Sequence, residues 1–193
     1  MVKPLFAGER VRLSPLADSD LDVIAQWYAD GQWIRMLSAF EVPMTRERLE
    51  QWANRYRNDE KSFLFGVRTK DDNRLVGTVT LEDILWNHGT GWLSISVGPK
   101  HRGNGYGEEA LRLILDFAFD ECNLHRVQLT VFAYNVLLSR CTRNLDFNGK
   151  DVTANSCIVM VVATICGFTG CYAESGRTAK RTTADFFMEF HKK

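Results

Sequence analysis

Apolar and polar residues alternate over Gly8 to Leu13 (GERVRL), the spacing of a half-buried strand, and Ser-Pro follows as a break. Asp18 to Tyr28 (DSDLDVIAQWY) places acids where a helix amino terminus favours negative charge and predicts a first helix. Thr45 opens a second, with Glu47 in the first turn and Leu49, Trp52, Ala53 and Tyr56 at helical spacing. Ser62 to Arg68 (SFLFGVR) and Leu75 to Leu81 (LVGTVTL) are rich in β-branched and aromatic residues, and TKDDN between them is turn chemistry, so they predict a hairpin. Trp92 to Val97 (WLSISV) follows the turn residues Asn-His-Gly-Thr-Gly and extends the hairpin to an antiparallel meander.

Gly105 to Glu121 carries Ala110, Leu111, Ile114, Leu115, Ala118 and Phe119 on one stripe, the face of a helix lying on a sheet, with Asn123 as its stop and Arg126 to Phe132 (RVQLTVF) as the next strand. The order is strand, two helices, three strands, helix, strand: an α+β or α/β three-layer arrangement, one domain over residues 1–193, with the central helix across the meander. Helical spacing assigns Trp27, Tyr28, Trp33, Trp52 and Tyr56 to core packing ahead of a cleft lining. From Val136 to Cys166 the pattern lapses, because IVMVV stands between polar runs with no turn or capping logic.

Composition narrows the function. The 193 residues hold 24 Lys plus Arg against 24 Asp plus Glu, so the chain is formally neutral and is not expected to bind nucleic acid. With 45% apolar and 25% charged residues it is an ordinary globular sequence, long enough to bury roughly 70% of its unfolded surface. MVKPLFAGERVRL lacks the apolar centre of a signal peptide, and Cys157 to Cys166 is shorter than the about 20 residues that span a bilayer. A cytoplasmic protein without a membrane partner is expected. Its five cysteines form no CxxC pair, which predicts reduced thiols and no metal site.

The segment with chemistry in it is Val97 to Ala110 (VGPKHRGNGYGEEA), where a strand ends in a glycine-dense loop that opens into an amphipathic helix. Glycines at 103, 105 and 107 let the main chain approach a ligand, and the first free amides of the helix point at it, an arrangement suited to phosphate. Lys100, His101 and Arg102 add positive charge. No GxxxxGK with Ser or Thr is present, and a GxGxxG begun at Gly103 meets Glu108 at its third glycine, between strands that read antiparallel.

What remains, Arg102-Gly103-Asn104-Gly105-Tyr106-Gly107, resembles the Arg/Gln-x-x-Gly-x-Gly/Ala acyl-coenzyme A loop of the GNAT superfamily of N-acetyltransferases, most of all the branch that acetylates ribosomal-protein amino termini and polyamines. The resemblance runs from about Leu5 to Asn135 through LVGTVTLED, WLSISVGP, the loop, EEALRLILDFAF and HRVQLTVFAYN. It implies a mixed, mostly antiparallel sheet flanked by helices, and transfer of acetyl from acetyl-CoA to a primary amine, on a small molecule or a protein amino terminus. Ile95, Ser96 and Val97 match the positions that hold the pantetheine arm. Arg102 and the stretch Gly103, Asn104, Gly105, Tyr106, Gly107 match the pyrophosphate loop, and Asn135 matches an asparagine that touches the cofactor arm or, on its own residue chemistry, ends the strand in a turn.

An alkylamine near pKa 10.4 is protonated at neutral pH, so a base is useful, and Glu82 with its neighbour Asp83 at the strand end supplies candidates, Glu82 first. Two adjacent acids there also suit a solvated turn, and His88 and His125 read as turn or surface residues. The family pattern breaks after Asn135, where relatives reach a proton-donating tyrosine and then Gly-Phe. If Asp146-Phe147 is that pair, Thr142 replaces the tyrosine; if Gly167-Phe168 is, the domain carries an atypical insertion at 136–166 and Ala163 falls in its place. The second alignment agrees with a closing hairpin that includes Asp185 and Met188. Loss of the phenol leaves a catalytically impaired acetyl-CoA-binding module as the alternative function.

Overall fold

The computed structural model describes residues 5–37, 42–132, 134–145, 150–152 and 158–164. Seven strands form one sheet in the order β1-β2-β3-β4-β5-β7-β6. They are β1 (Val11–Ser14), β2 (Phe63–Thr69), β3 (Leu75–Leu85), β4 (Thr90–Val97), β5 (Arg126–Phe132), β6 (Lys150–Val152) and β7 (Ile158–Thr164). All neighbours run antiparallel except β4 and β5. The helices are α1 (Asp18–Trp27), α2 (Gly31–Leu37), α3 (Arg46–Arg57), α4 (Tyr106–Asp116) and α5 (Val136–Asn144).

Three layers follow from two apolar clusters. On one face, Val79, Leu81, Ile84, Leu93, Val127, Leu129 and Val131 of the strands pack with Ala110, Leu111, Leu113 and Ile114 of α4. The helix stripe expected from the sequence is the stripe that is buried. On the other, Leu21, Ile24, Trp27, Tyr28, Trp33, Leu49 and Ala53 of α1 to α3 pack with Leu16 and Leu75. Tyr28 and Trp33 meet edge to face at 5.0 Å, and Trp27, Tyr28, Trp33 and Tyr56 are buried as the spacing predicts. Among the described residues no helix is long and apolar enough to cross a membrane.

Four expectations shift. The first strand is Val11–Ser14 rather than Gly8 to Leu13, because Gly8 and Val11 are joined across a tight turn by a 2.9 Å main-chain bond. Helix α2 was not foreseen: Asp30-Gly31 reads as a turn, but the Asp30 carboxylate accepts the amides of Gln32 and Trp33 at 2.9 and 3.0 Å and caps a helix. The long helix ends at Asp116 and continues as a π turn over Phe117–Glu121, where the Cys122 amide reaches back to the Phe117 carbonyl at 3.0 Å. Phe117 is held there by Phe6, Phe63 and Phe65 at 5.1 to 5.8 Å, and Asn123 takes the left-handed φ of 52° that suits a stop. Residues 150–152 and 158–164, where the pattern lapsed, are strands, with β7 paired along β5 from Arg126 to Phe132.

Candidate active site

Parallel pairing between β4 and β5 lasts only from Thr90 opposite Arg126 to Leu93 opposite Leu129. Both strands then continue without pairing to each other, β4 through Ser94 to Val97 and β5 through Thr130 to Phe132. The Gly98 amide bonds the Val76 carbonyl at 2.9 Å, so the alternation of the antiparallel ladder turns the main-chain groups of Ser96 toward β3 and those of Ile95 and Val97 toward the split. Ser96 shares a 3.0 Å hydroxyl bond with Thr78. The Val97 carbonyl accepts from the Trp33 indole at 3.0 Å, a contact from α2 that the sequence did not signal.

Beyond Val97 a short turn over Pro99–His101 leads to the loop and α4. Gly103 and Gly105 lie at φ 78° and 77°, a region open to glycine, and a side chain at Gly103 would meet nothing within 4 Å. Among the described residues the amides of Gly103 to Gly107 engage no acceptor, so they form an open set of donors at a helix start. Asn104 is exposed and folds back on the loop: its side-chain amide donates to the carbonyls of His101 and Arg102 at 3.2 and 3.3 Å. Burial pushes the half-buried Arg102 guanidinium below its ordinary value and Asp30 pushes it back. Burial also lowers His101, with Arg74 acting in the same direction.

The loop is braced from the bend that leads into β1, which the sequence did not connect with it. Arg10 donates through Nη1 to the Asn104 carbonyl at 3.0 Å and through Nε to Glu109 Oε2 at 3.2 Å. Glu109 Oε1 in turn accepts the amides of Arg10 and Val11 at 2.8 and 3.3 Å.

Asn135 is buried, and its Oδ1 accepts the Leu138 amide at 3.1 Å, so it caps α5 rather than ending a strand in a turn. Its side-chain nitrogen donates to no group among the described residues. Helix α5 offers no phenol. Thr142 is buried at 2% exposure and donates to the Ser139 carbonyl, while Ala163 lies on β7 opposite Val127. Asp146, Phe147, Gly167, Phe168, Asp185 and Met188 lie outside the described residues.

Glu82 stands in register with Trp92, next to the split, with its side chain 18% exposed. Its Oε1 accepts from Ser94 at 2.8 Å and Thr80 at 3.4 Å; its Oε2 accepts from the Tyr56 phenol at 2.5 Å, and Arg55 lies 4.0 Å away. Ser94 is the first β4 residue past the paired stretch, which puts Glu82 one side chain from the opening. Asp83 occupies a bulge at φ 50° and is exposed. Burial and then Glu82 raise its carboxyl above the ordinary value. His88 is exposed in a turn, and His125 packs its ring over Gly89.

An acetyltransferase (GNAT) domain family model matches residues 10–148. The chain belongs to the GNAT acetyltransferase family. It is similar to the probable N-acetyltransferase YjcK of Bacillus subtilis, 32% identical over 156 residues that cover 77% of this chain and 86% of the relative. The spermidine N(1)-acetyltransferase of Vibrio cholerae is 31% identical over 97 residues, 50% of this chain and 56% of that one. The crystal structure of a Vibrio cholerae spermidine N-acetyltransferase with CoA and spermine has the same fold, with a TM-score of 0.68 at 22% identity over 80% of this chain and 95% of that one. As a GNAT enzyme the chain is an acetyl-CoA-dependent N-acetyltransferase. The open amides at 103–107 and the split between β4 and β5 fit a diphosphate on an extended arm.

Proposed function

We propose that the chain acetylates a primary amine, either on a small molecule or at a protein amino terminus, in the cytoplasm. The observation that carries this is the unengaged run of amides from Gly103 to Gly107 at the mouth of the β4–β5 split. In this reading those amides and Arg102 hold the pyrophosphate of acetyl-CoA, with Asn104 shaping the loop through its bonds to His101 and Arg102. Ile95 and Val97 offer main-chain groups to the pantetheine arm, Ser96 between them ties β4 to Thr78 of β3, and Asn135 offers its side-chain nitrogen from the opposite lip. Acetyl-CoA supplies an activated acetyl group when bound.

Glu82 is the base. It takes a proton from the acceptor ammonium by way of Ser94: the amine proton passes to Oγ as the hydroxyl proton passes to Oε1, leaving a neutral amine to attack. The Ile95 amide faces the split and is a donor for the carbonyl oxygen as charge develops on it. The C–N bond would form as the C–S bond breaks, CoA leaving as a thiolate that takes up the proton the attacking nitrogen then gives up. Without a general acid the rate falls by about 10² to 10⁴, whereas holding the reactants in line contributes about 7 to 11 kcal/mol, so turnover survives the missing phenol.

The lack of a phenol at either candidate position, Thr142 or Ala163, favours a second reading, a catalytically impaired module that binds acetyl-CoA. Calorimetry with acetyl-CoA, followed by thiol release and mass spectrometry with spermidine and with a serine-initiated peptide, separates the two. Binding with a 42-dalton gain on an amine, about the mass of an acetyl group replacing a proton, supports the enzyme. Binding with no release in either arm supports the module, and no heat at millimolar acetyl-CoA overturns both.

A further inference from the structure

The base proposed above is held by a residue that the sequence assigns only to the core. Tyr56 lies on α3, is 8% exposed, and packs edge to face on Trp52 at 5.7 Å. The Arg55 guanidinium sits 5.2 Å from its ring centre. Its hydroxyl emerges from that apolar setting onto a single carboxylate oxygen, Glu82 Oε2, at 2.5 Å. The other oxygen is left to Ser94 and Thr80, of which Ser94 is exposed at the split. A glutamate near a cleft has several rotamers of similar energy; this one is pinned at one oxygen so that the other meets the opening.

We infer that Tyr56 is a positioning residue for acetyl transfer, fixing Glu82 so that Oε1 is presented through Ser94 to the incoming amine. The inference rests on Glu82 being the base. Tyr56 keeps its proton throughout the reaction, because burial and then the neighbouring Glu82 carboxylate hold the phenol well above its ordinary range. The other charges that face the pair are Arg55 from α3 and Asp83 along β3, with Asp59 beyond the end of α3 acting on Asp83. No proton is gained or lost by Tyr56: it acts by geometry and by donating to the charged form of its partner.

Tyr56→Phe removes the hydroxyl and keeps the ring against Trp52. Acetyl transfer to spermidine and to a serine-initiated peptide is measured against pH in the wild type, Tyr56→Phe, Glu82→Gln and the double variant. The expected result is a fall in kcat of about tenfold for Tyr56→Phe, the scale of one lost hydrogen bond to a charged group. The acetyl-CoA dissociation constant by calorimetry is unchanged. In the Glu82→Gln background the second substitution costs nothing more. An equal loss in both backgrounds, or a weakened acetyl-CoA affinity in Tyr56→Phe, overturns the positioning role and leaves the base intact. Wild-type rates in Glu82→Gln remove the base and this inference with it.

Discussion

Gly105 shows how narrowly the glycine loop is specified at the level of one residue. It lies at φ 77°, and a Cβ on it would come within 2.9 Å of the Arg10 guanidinium. Left-handed backbone costs roughly 1–2 kcal/mol for a residue with a side chain, so Gly105→Ala either strains the turn or displaces Arg10 from Asn104. Calorimetry is expected to show acetyl-CoA affinity reduced about tenfold, the equivalent of about 1.4 kcal/mol. Gly31→Ala is the control, since nothing lies within 4 Å of a Cβ at Gly31. The glycine loop was legible in the sequence because its conformational demand is local and glycine satisfies it locally. The surroundings of Glu82 were not, because its partners Tyr56 and Ser94 lie 26 and 12 residues away and each reads on its own as an ordinary core or strand residue.

Between elements, the brace from β1 to α4 carries the loop. Burial alone would raise the Glu109 carboxyl, but the amides of Arg10 and Val11, then the Arg10 side chain and the Glu9 amide, bring it below its ordinary value near 4.5. A carboxylate depressed by folding contributes stability that is present in full above that ordinary value and is lost as pH falls through the depressed one. Thermal melting of the wild type and Glu109→Gln is therefore expected to differ most near neutral pH and to converge under more acidic conditions. A constant gap across pH would show that the carboxylate charge is not what braces the loop. No local pattern could have revealed this pair, 99 residues apart, although Glu109 in the first turn of its helix was a visible half of it. Helix α2 was missed for a related reason: Asp30-Gly31 is equally good turn chemistry and cap chemistry, and Trp33 contacts to α1 and β4 decide between them. The apolar run Ile158–Thr164 lacks alternation, so only its pairing with β5 reveals it as a strand.

At the scale of the molecule, the sheet was legible from β2 to β4 because β3 follows β2, and β4 follows β3, through a short connection. The place of β7 between β5 and β6 was not, since nothing in the chain order announces it. The two strands that part after Leu93 and Leu129 are tied together there only by what lies between and around them. A ligand engaging both sides stabilises the native state by about 2.7 kcal/mol at a hundred times its dissociation constant. For a chain of this length that raises Tm by about 5–10 °C. Melting curves with acetyl-CoA check this, and Gly105→Ala is expected to need more ligand for the same rise.

Helix α2 gives the parted strands one more connection. Its Trp33 indole is fastened to Val97 at the end of β4, and the carbonyl of Arg35, two residues further on, accepts the phenol of Tyr134 just past β5. A rod anchored on both banks of a channel cannot keep both moorings if the banks move apart or draw together. Whatever fills the split therefore also sets the tilt of α2.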